Sequence, residues 1–137
     1  MTSLRRSKSS IRRIVSNHPE LAGFGEHWVN LGPRNLLRHG LPDGYSQRLT
    51  TRRFGHALAL HMLSRQDLIP LKLYAASNRF SPRQEIHEQD LRLLNGSFDE
   101  LDVALEWMRN LPDFEEKRPE VQAVLQRLGR DDLSYYV

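Results

Sequence analysis

Lys72 stands inside the apolar run from Ile69 to Ala76, where a long cation is rarely left without a partner. Arg79 and Arg83 follow it, and Asp90 comes just before Leu91, Leu93 and Leu94. The order is a lysine in an apolar helix, an arginine-bearing loop, and an acid opening a Leu-rich helix. Such a loop can grip a phosphate between two guanidiniums while Lys72 and Asp90 face each other across it. Two readings of Lys72 stay open at this level: a stem that runs along the surface to carry its ammonium into water, or a charge aimed at a phosphate or at Asp90.

Other chemistry finds less support. There is no Gly-x-Gly-x-x-Gly, no Gly-Lys-Ser/Thr, no Gly-x-Ser-x-Gly and no His-Glu-x-x-His. His87 and Asp90 are spaced i, i+3 as a helix-borne metal pair would be, but catalytic zinc needs three protein ligands. They are better read as residues of a helix N-terminus, and no metal site or catalytic residue is assigned. His61 is expected to be packed or hydrogen-bonded, since no nucleophile accompanies it. Trp28, Trp107, Tyr135 and Tyr136 read as core and edge residues. With no cysteine, disulfides and thiolate sites are excluded, which agrees with a cytoplasmic address.

The elements that must position these residues follow from period and punctuation. Ser9 or Ser10 caps a short helix through Ile11, Ile14 and Val15, ending near Pro19. Residues 21–44 are rich in glycine and proline, with room for one or two helical turns at 34–39 and with Trp28 and Val29 as anchors. Strands are expected over 47–53 and 56–63, the second alternating Leu58, Leu60 and Met62 against Ala57, Ala59 and His61, with Phe54-Gly55 as the hairpin turn. Ser64 and Asp67 form an imperfect capping box for a helix in which Pro70 marks a bend or restart. A second helix runs from about 88 to 94 and ends at Asn95-Gly96. Ser97 and Glu100 cap a third, burying Leu101, Ala104, Leu105 and Met108. A fourth starts near Pro119, buries Val121, Val124, Leu125 and Leu128, and stops at Gly129. The fold class is therefore α+β: a small β-hairpin or partial sheet packed with about five helices, the C-terminal half all helical. One domain over 1–137 is expected, with a basic, mobile tail at 1–13, an irregular stretch plus hairpin at 14–63, and helices from 64 onward.

Size and charge fit that plan. The chain has 137 residues, of which 39% are hydrophobic and 27% charged, enough for one modest core. Mean hydropathy is −0.60, and no apolar run approaches the ~20 residues that cross a bilayer. Net charge is +3, unevenly spread. Arg5, Arg6, Lys8, Arg12 and Arg13 carry the front without an acid, and more arginines follow at 34–53. The stretch 99–120 is acidic. The basic front is a candidate nucleic-acid contact, although no aromatic is interleaved with its arginines as a base-stacking platform would require.

Two stretches carry a family resemblance. HWVNLGPRNLLRHGLPDGYSQRLTTRRFG (27–55), and LSRQDLIPLKLYAASNR (63–79) followed by HEQDLRLL (87–94), resemble bacterial proteins of the nucleotidyltransferase superfamily, in the branch related to AbiEii-type toxins. The resemblance covers roughly residues 25–110. It implies a small mixed α/β core with a helical C-terminal part. Lys72 would correspond to the family's helix lysine near the nucleotide phosphates and Asp90 to the acid opening the next helix, with Arg79 and Arg83 in the loop between. The departures are large. That superfamily needs a Gly-Ser turn followed by paired carboxylates that hold two Mg²⁺ ions. Here the residues before His27 contain no Asp, and the one Gly-Ser, Gly96-Ser97, falls near the opposite end. Pro70 is a further departure.

The resulting expectation is a truncated or divergent nucleotidyltransferase-like protein, non-catalytic alone, that binds a nucleotide, an RNA end or a protein partner. Mg²⁺ would enter only with a catalytic half that this sequence lacks. The alternatives are a small helical interaction module, antitoxin-like or an assembly partner, using the acidic 99–120 face, and a basic-tail nucleic-acid binder. A homodimer or a hetero-complex with a cognate protein is expected, because an uncovered sheet edge invites pairing.

Overall fold

In this computed structural model, residues 40–137 are described continuously, preceded by Arg13, Asn17 and Pro19 as isolated positions. The helix expected at 11–15, the turns at 34–39 and the Trp28 anchor lie outside the described residues. The chain forms two compact units, one containing Leu49–Met62 and the other containing His39–Arg48 and Leu63–Val137.

The first contains an antiparallel hairpin of β1 (Thr50–Phe54) and β2 (Leu58–Met62). Thr50 pairs with Met62 and Phe54 with Leu58, leaving Gly55, His56 and Ala57 in the turn. Gly55 takes φ +62°, a left-handed conformation that a side chain would resist. Both strands are shorter than the pattern suggests. Gln47 and Arg48 belong to a 3₁₀ turn, Tyr45–Arg48, instead of β1. Opposite each other on one face, Thr51 Oγ1 and His61 Nδ1 are hydrogen-bonded at 2.9 Å, so His61 is a cross-strand partner.

The second unit carries five helices: α1 (Arg65–Ala76), α2 (Gln84–Leu94), α3 (Phe98–Arg109), α4 (Phe114–Arg127) and α5 (Asp131–Ser134). The described chain is thus α+β, with a two-stranded sheet and a wholly helical C-terminal half. Helix α1 is central, packed by α2, α3 and α4. Its Ile69, Leu73 and Ala76 meet Leu91, then Leu101, Ala104, Leu105 and Met108, then Val121, Val124 and Leu125, with Leu133 of α5 closing the core. These positions follow the helical period, which is why the apolar pattern located them.

The helix ends show how local chemistry divides the chain. Ser97 and Glu100 form a complete capping box at the start of α3. Asn95 ends α2 in the left-handed region at φ 46°. After α4, the Gly129 and Arg130 amides donate to Gln126 and Leu125 carbonyls, a Schellman closure with Gly129 at φ +74°.

Three boundaries differ from expectation. Helix α2 starts at Gln84, one turn before Glu88, so Asp90 lies within it and does not open it. Helix α4 starts at Phe114, which places Pro119 inside. Pro70 likewise lies within an unbroken α1. Both prolines are the sixth residue of their helix, so each removes one amide donor, facing the Gln66 or Glu115 carbonyl near the helix start. The rest of each helix is held by its buried face. Ser64, finally, makes no backbone cap: its hydroxyl donates to the Asp67 carboxylate at 2.7 Å.

Candidate functional site: the α1–α2 corner

The residues singled out by type lie on α1, on α2 and in the seven-residue connection 77–83. Lys72 and Asp90 do face each other. Lys72 Nζ donates to Asp90 Oδ2 at 2.6 Å, with both side chains half-buried. Pairing with Asp90 is therefore the reading of Lys72 that the geometry supports, and its charge is already compensated inside the chain.

His87 lies one turn before Asp90 on the same face. Its Nδ1 is buried with no hydrogen-bond partner. Burial depresses its pKa below the usual imidazole value. Lys72 adds to the depression, Asp90 partly opposes it, and Arg83 adds a little more. Around this imidazole the balance of charge is positive, so the neutral ring is favoured.

Arg79 and Arg83 differ from every other arginine of the helical unit. Arg48 pairs with Asp67, Arg65 with Glu100, and Arg92 with Glu88. Arg109 pairs with Glu106, Arg118 with Glu115, Arg127 with Glu88 and Glu120, and Arg130 with Asp132. Among the described residues, neither the Arg79 nor the Arg83 guanidinium has a carboxylate or carbonyl partner. Both are exposed. Between them stands Phe80, 83% exposed, with the Arg79 guanidinium over its ring at 4.8 Å.

The loop backbone that carries them is internally tied. The Asn78 amide donates to Ala75 O, Phe80 N to Asn78 Oδ1, Ser81 N to Asn78 O, Arg83 N to Ser81 Oγ, and Gln84 N to Ser81 O. Gln84 Nε2 fastens the far end to Ala76 O and to Glu120. The corner is thus held in shape, and its amides do not form an anion-binding nest. Any anion held here is held by the two guanidiniums.

Asp67 was not singled out by type, yet it is the most deeply buried charge described, at 0% exposure. Arg48 Nε and Nη2 bind its two oxygens at 2.8 and 2.5 Å, and Ser64 adds a third bond. These hydrogen bonds, led by that from Arg48, lower its pKa despite the opposing effect of burial. Arg48 also reaches Asp43 O at 2.7 Å, so this pair fixes the 40–48 segment on α1 and is structural. With nineteen residues separating the partners, no local pattern announces it.

The remaining candidates are dispersed. Arg5, Arg6, Lys8 and Arg12 lie outside the described residues, and Arg13 is exposed. Tyr135 and Tyr136 are exposed, not core. No group of three or more His, Asp or Glu side chains is placed to hold a metal ion among the described residues, so the Mg²⁺ of a complete transferase site has no ligand set in them. A recess of about 120 Å³ beside Leu91, Gly96 and Arg130 is well below the volume of a nucleotide pocket. No helix among the described residues is long and apolar enough to cross a membrane. No family model, no curated protein and no solved structure matches this chain.

Proposed function

We propose that this chain is a non-catalytic binding protein that holds an end of single-stranded nucleic acid at the α1–α2 corner. The observation that carries the reading is the exposed Phe80 ring under the Arg79 guanidinium, in a loop whose two arginines, Arg79 and Arg83, have no carboxylate partner among the described residues. Phosphates are held by guanidiniums, and an exposed aromatic accepts a base on its face; together they make a stacking platform with its counter-charge. The resemblance to the helical half of nucleotidyltransferases agrees with this ligand class.

Lys72 contributes by placement and not by contact with the ligand. Its bond to Asp90 ties α1 to α2 on either side of the loop. The acidic stretch 99–120 supports the competing interaction-module reading less well. Glu100, Glu106, Glu115 and Glu120 are engaged with arginines of the same chain, and Asp113 with Tyr74.

The test is fluorescence anisotropy of the full chain with a labelled single-stranded oligoribonucleotide. Base stacking is worth about 1–3 kcal/mol, so Phe80→Ala weakens binding by about 5- to 150-fold. Replacing Arg79 and Arg83 with alanine lowers the salt slope by about 1.4, twice the single-strand value per contact. Equal affinity for wild type and both variants would remove the proposal.

A further inference from the structure

Helix α2 buries one face only. Leu91 enters the core, while Gln84 and Glu88 are fastened to α4. On the opposite face Ile86 is 53% and Leu93 85% exposed, with exposed Gln89 between them. Two large apolar side chains on one outward stripe of a short helix form an apolar surface available to a partner. Seven residues separate them, two helical turns, so they lie within about 20° of each other and about 10.5 Å apart along the axis.

Charge identifies what covers the stripe. Glu85 and Arg92 are also seven apart and run along one flank of it. Glu85 is exposed and has no partner among the described residues. Arg92 uses Nη2 alone, on the Arg127 carbonyl at 2.9 Å and on Glu88 at 3.5 Å, which leaves its Nε and Nη1 for another acid. When two copies of a helix pack antiparallel about a two-fold axis, each residue meets one whose number completes a constant sum, and like flanks face each other. Placing the axis beside Gln89 brings Ile86 within one residue, about 1.5 Å along the axis, of the second copy's Leu93, and Leu93 equally close to its Ile86. The same axis brings Glu85 within one residue, about 1.5 Å along the axis, of the second copy's Arg92, a gap these long side chains span, and Arg92 equally close to its Glu85. Gln89 meets its own copy at the centre, amide to amide. One operation thus satisfies the apolar pair, the free acid and the free guanidinium nitrogens.

We infer that α2 is the homodimer interface of this protein, two copies packing antiparallel through Ile86, Gln89 and Leu93 with reciprocal Glu85–Arg92 ion pairs. The inference stands apart from the nucleic-acid reading, because Arg79, Phe80 and Arg83 precede the stripe. Dimerisation carries the two corners to opposite ends of the paired helices.

Sedimentation equilibrium of the full chain over a wide concentration range tests it. The expected result is a reversible rise from 16.0 kDa to twice that mass. The double variant Ile86→Ser/Leu93→Ser, changed only at exposed positions, keeps its helical circular dichroism and loses dimerisation by about tenfold or more. Glu85→Arg sets two like charges against Arg92 of the other copy and weakens the dimer. Adding Arg92→Glu to it restores association. A monomer at the highest concentration reached would overturn the inference, as would a dimer indifferent to the two serines. A loss in Glu85→Arg that the swap does not rescue would overturn the antiparallel register.

Discussion

The ion pair of Asp67 with Arg48 gives the sharpest test of how the helical unit is held together. Asp67 has no exposed surface and accepts two bonds from Arg48 and one from Ser64. Asp67→Ala removes all three, at roughly 1.5–3 kcal/mol for hydrogen bonds to a charged group in place of an ordinary one. That figure applies to each bond, but the released guanidinium is partly exposed and recovers water and the cost of burying the carboxylate is removed, so the net loss is about that of one bond, about 2 kcal/mol, or about 6–10 °C in midpoint. Arg48→Ala is worse, because it leaves a carboxylate of zero exposure with a single hydroxyl donor. The pH dependence has a definite sign. The folded-state pKa is depressed, so the unfolded chain binds the proton more readily and protonation favours unfolding. The contribution is complete above the unfolded carboxylate pKa of about 3.9 and is lost as pH falls through the lower folded value. Urea unfolding of wild type and both variants, at neutral pH and again below pH 4, measures all of this. The reasoning fails if Asp67→Ala stays within about 0.5 kcal/mol of wild type, or if Arg48→Ala proves the milder change.

Further outcomes can be stated for other positions. Ser97→Ala removes the cap of α3 and lowers stability by about 1 kcal/mol in urea unfolding, with the fold retained. Leu105→Ala, at the centre of the core, costs about 2–5 kcal/mol in the same assay. Pro119→Ala, at an exposed position inside α4, returns a donor to the Glu115 carbonyl and raises the unfolding midpoint; a lower midpoint would mean that the proline is favoured by its effect on the unfolded chain. His87 has a depressed pKa, so stability is full above the unfolded imidazole value of about 6.5 and declines as pH falls below it. His87→Gln flattens that decline, and an unchanged pH profile would contradict the burial argument.

How much was legible in the sequence depended on whether the signal was local. The capping box Ser97–Glu100 and the run Leu101, Ala104, Leu105, Met108 lie in one helical window, so the start and buried face of α3 could be read directly. The Asn95 and Gly129 stops were visible because a left-handed residue after an apolar period has few alternatives. The start of α2 was hidden, since Gln84, Glu85 and His87 are polar and give no apolar period. Pro70 and Pro119 misled because a proline near a helix start costs only one bond, which core packing offsets. At the candidate site the sequence supplied Arg79 and Arg83 but not their distinction. That comes from the ion pairs all the other arginines of the unit make, those of Arg48, Arg65 and Arg127 with residues distant in sequence. Phe80 gave no signal either, because the exposure of a loop aromatic is set by how the loop sits against the helices and not by a local pattern.

The most direct measurement of the central claim is an amide NMR titration of the full chain with a short single-stranded oligoribonucleotide. The account predicts shift changes concentrated at residues 78–86, with the Phe80 ring and the Arg79 and Arg83 side chains most affected, and none of this in Phe80→Ala. Changes confined to residues 1–13, or an unperturbed spectrum at saturating oligonucleotide, would contradict it.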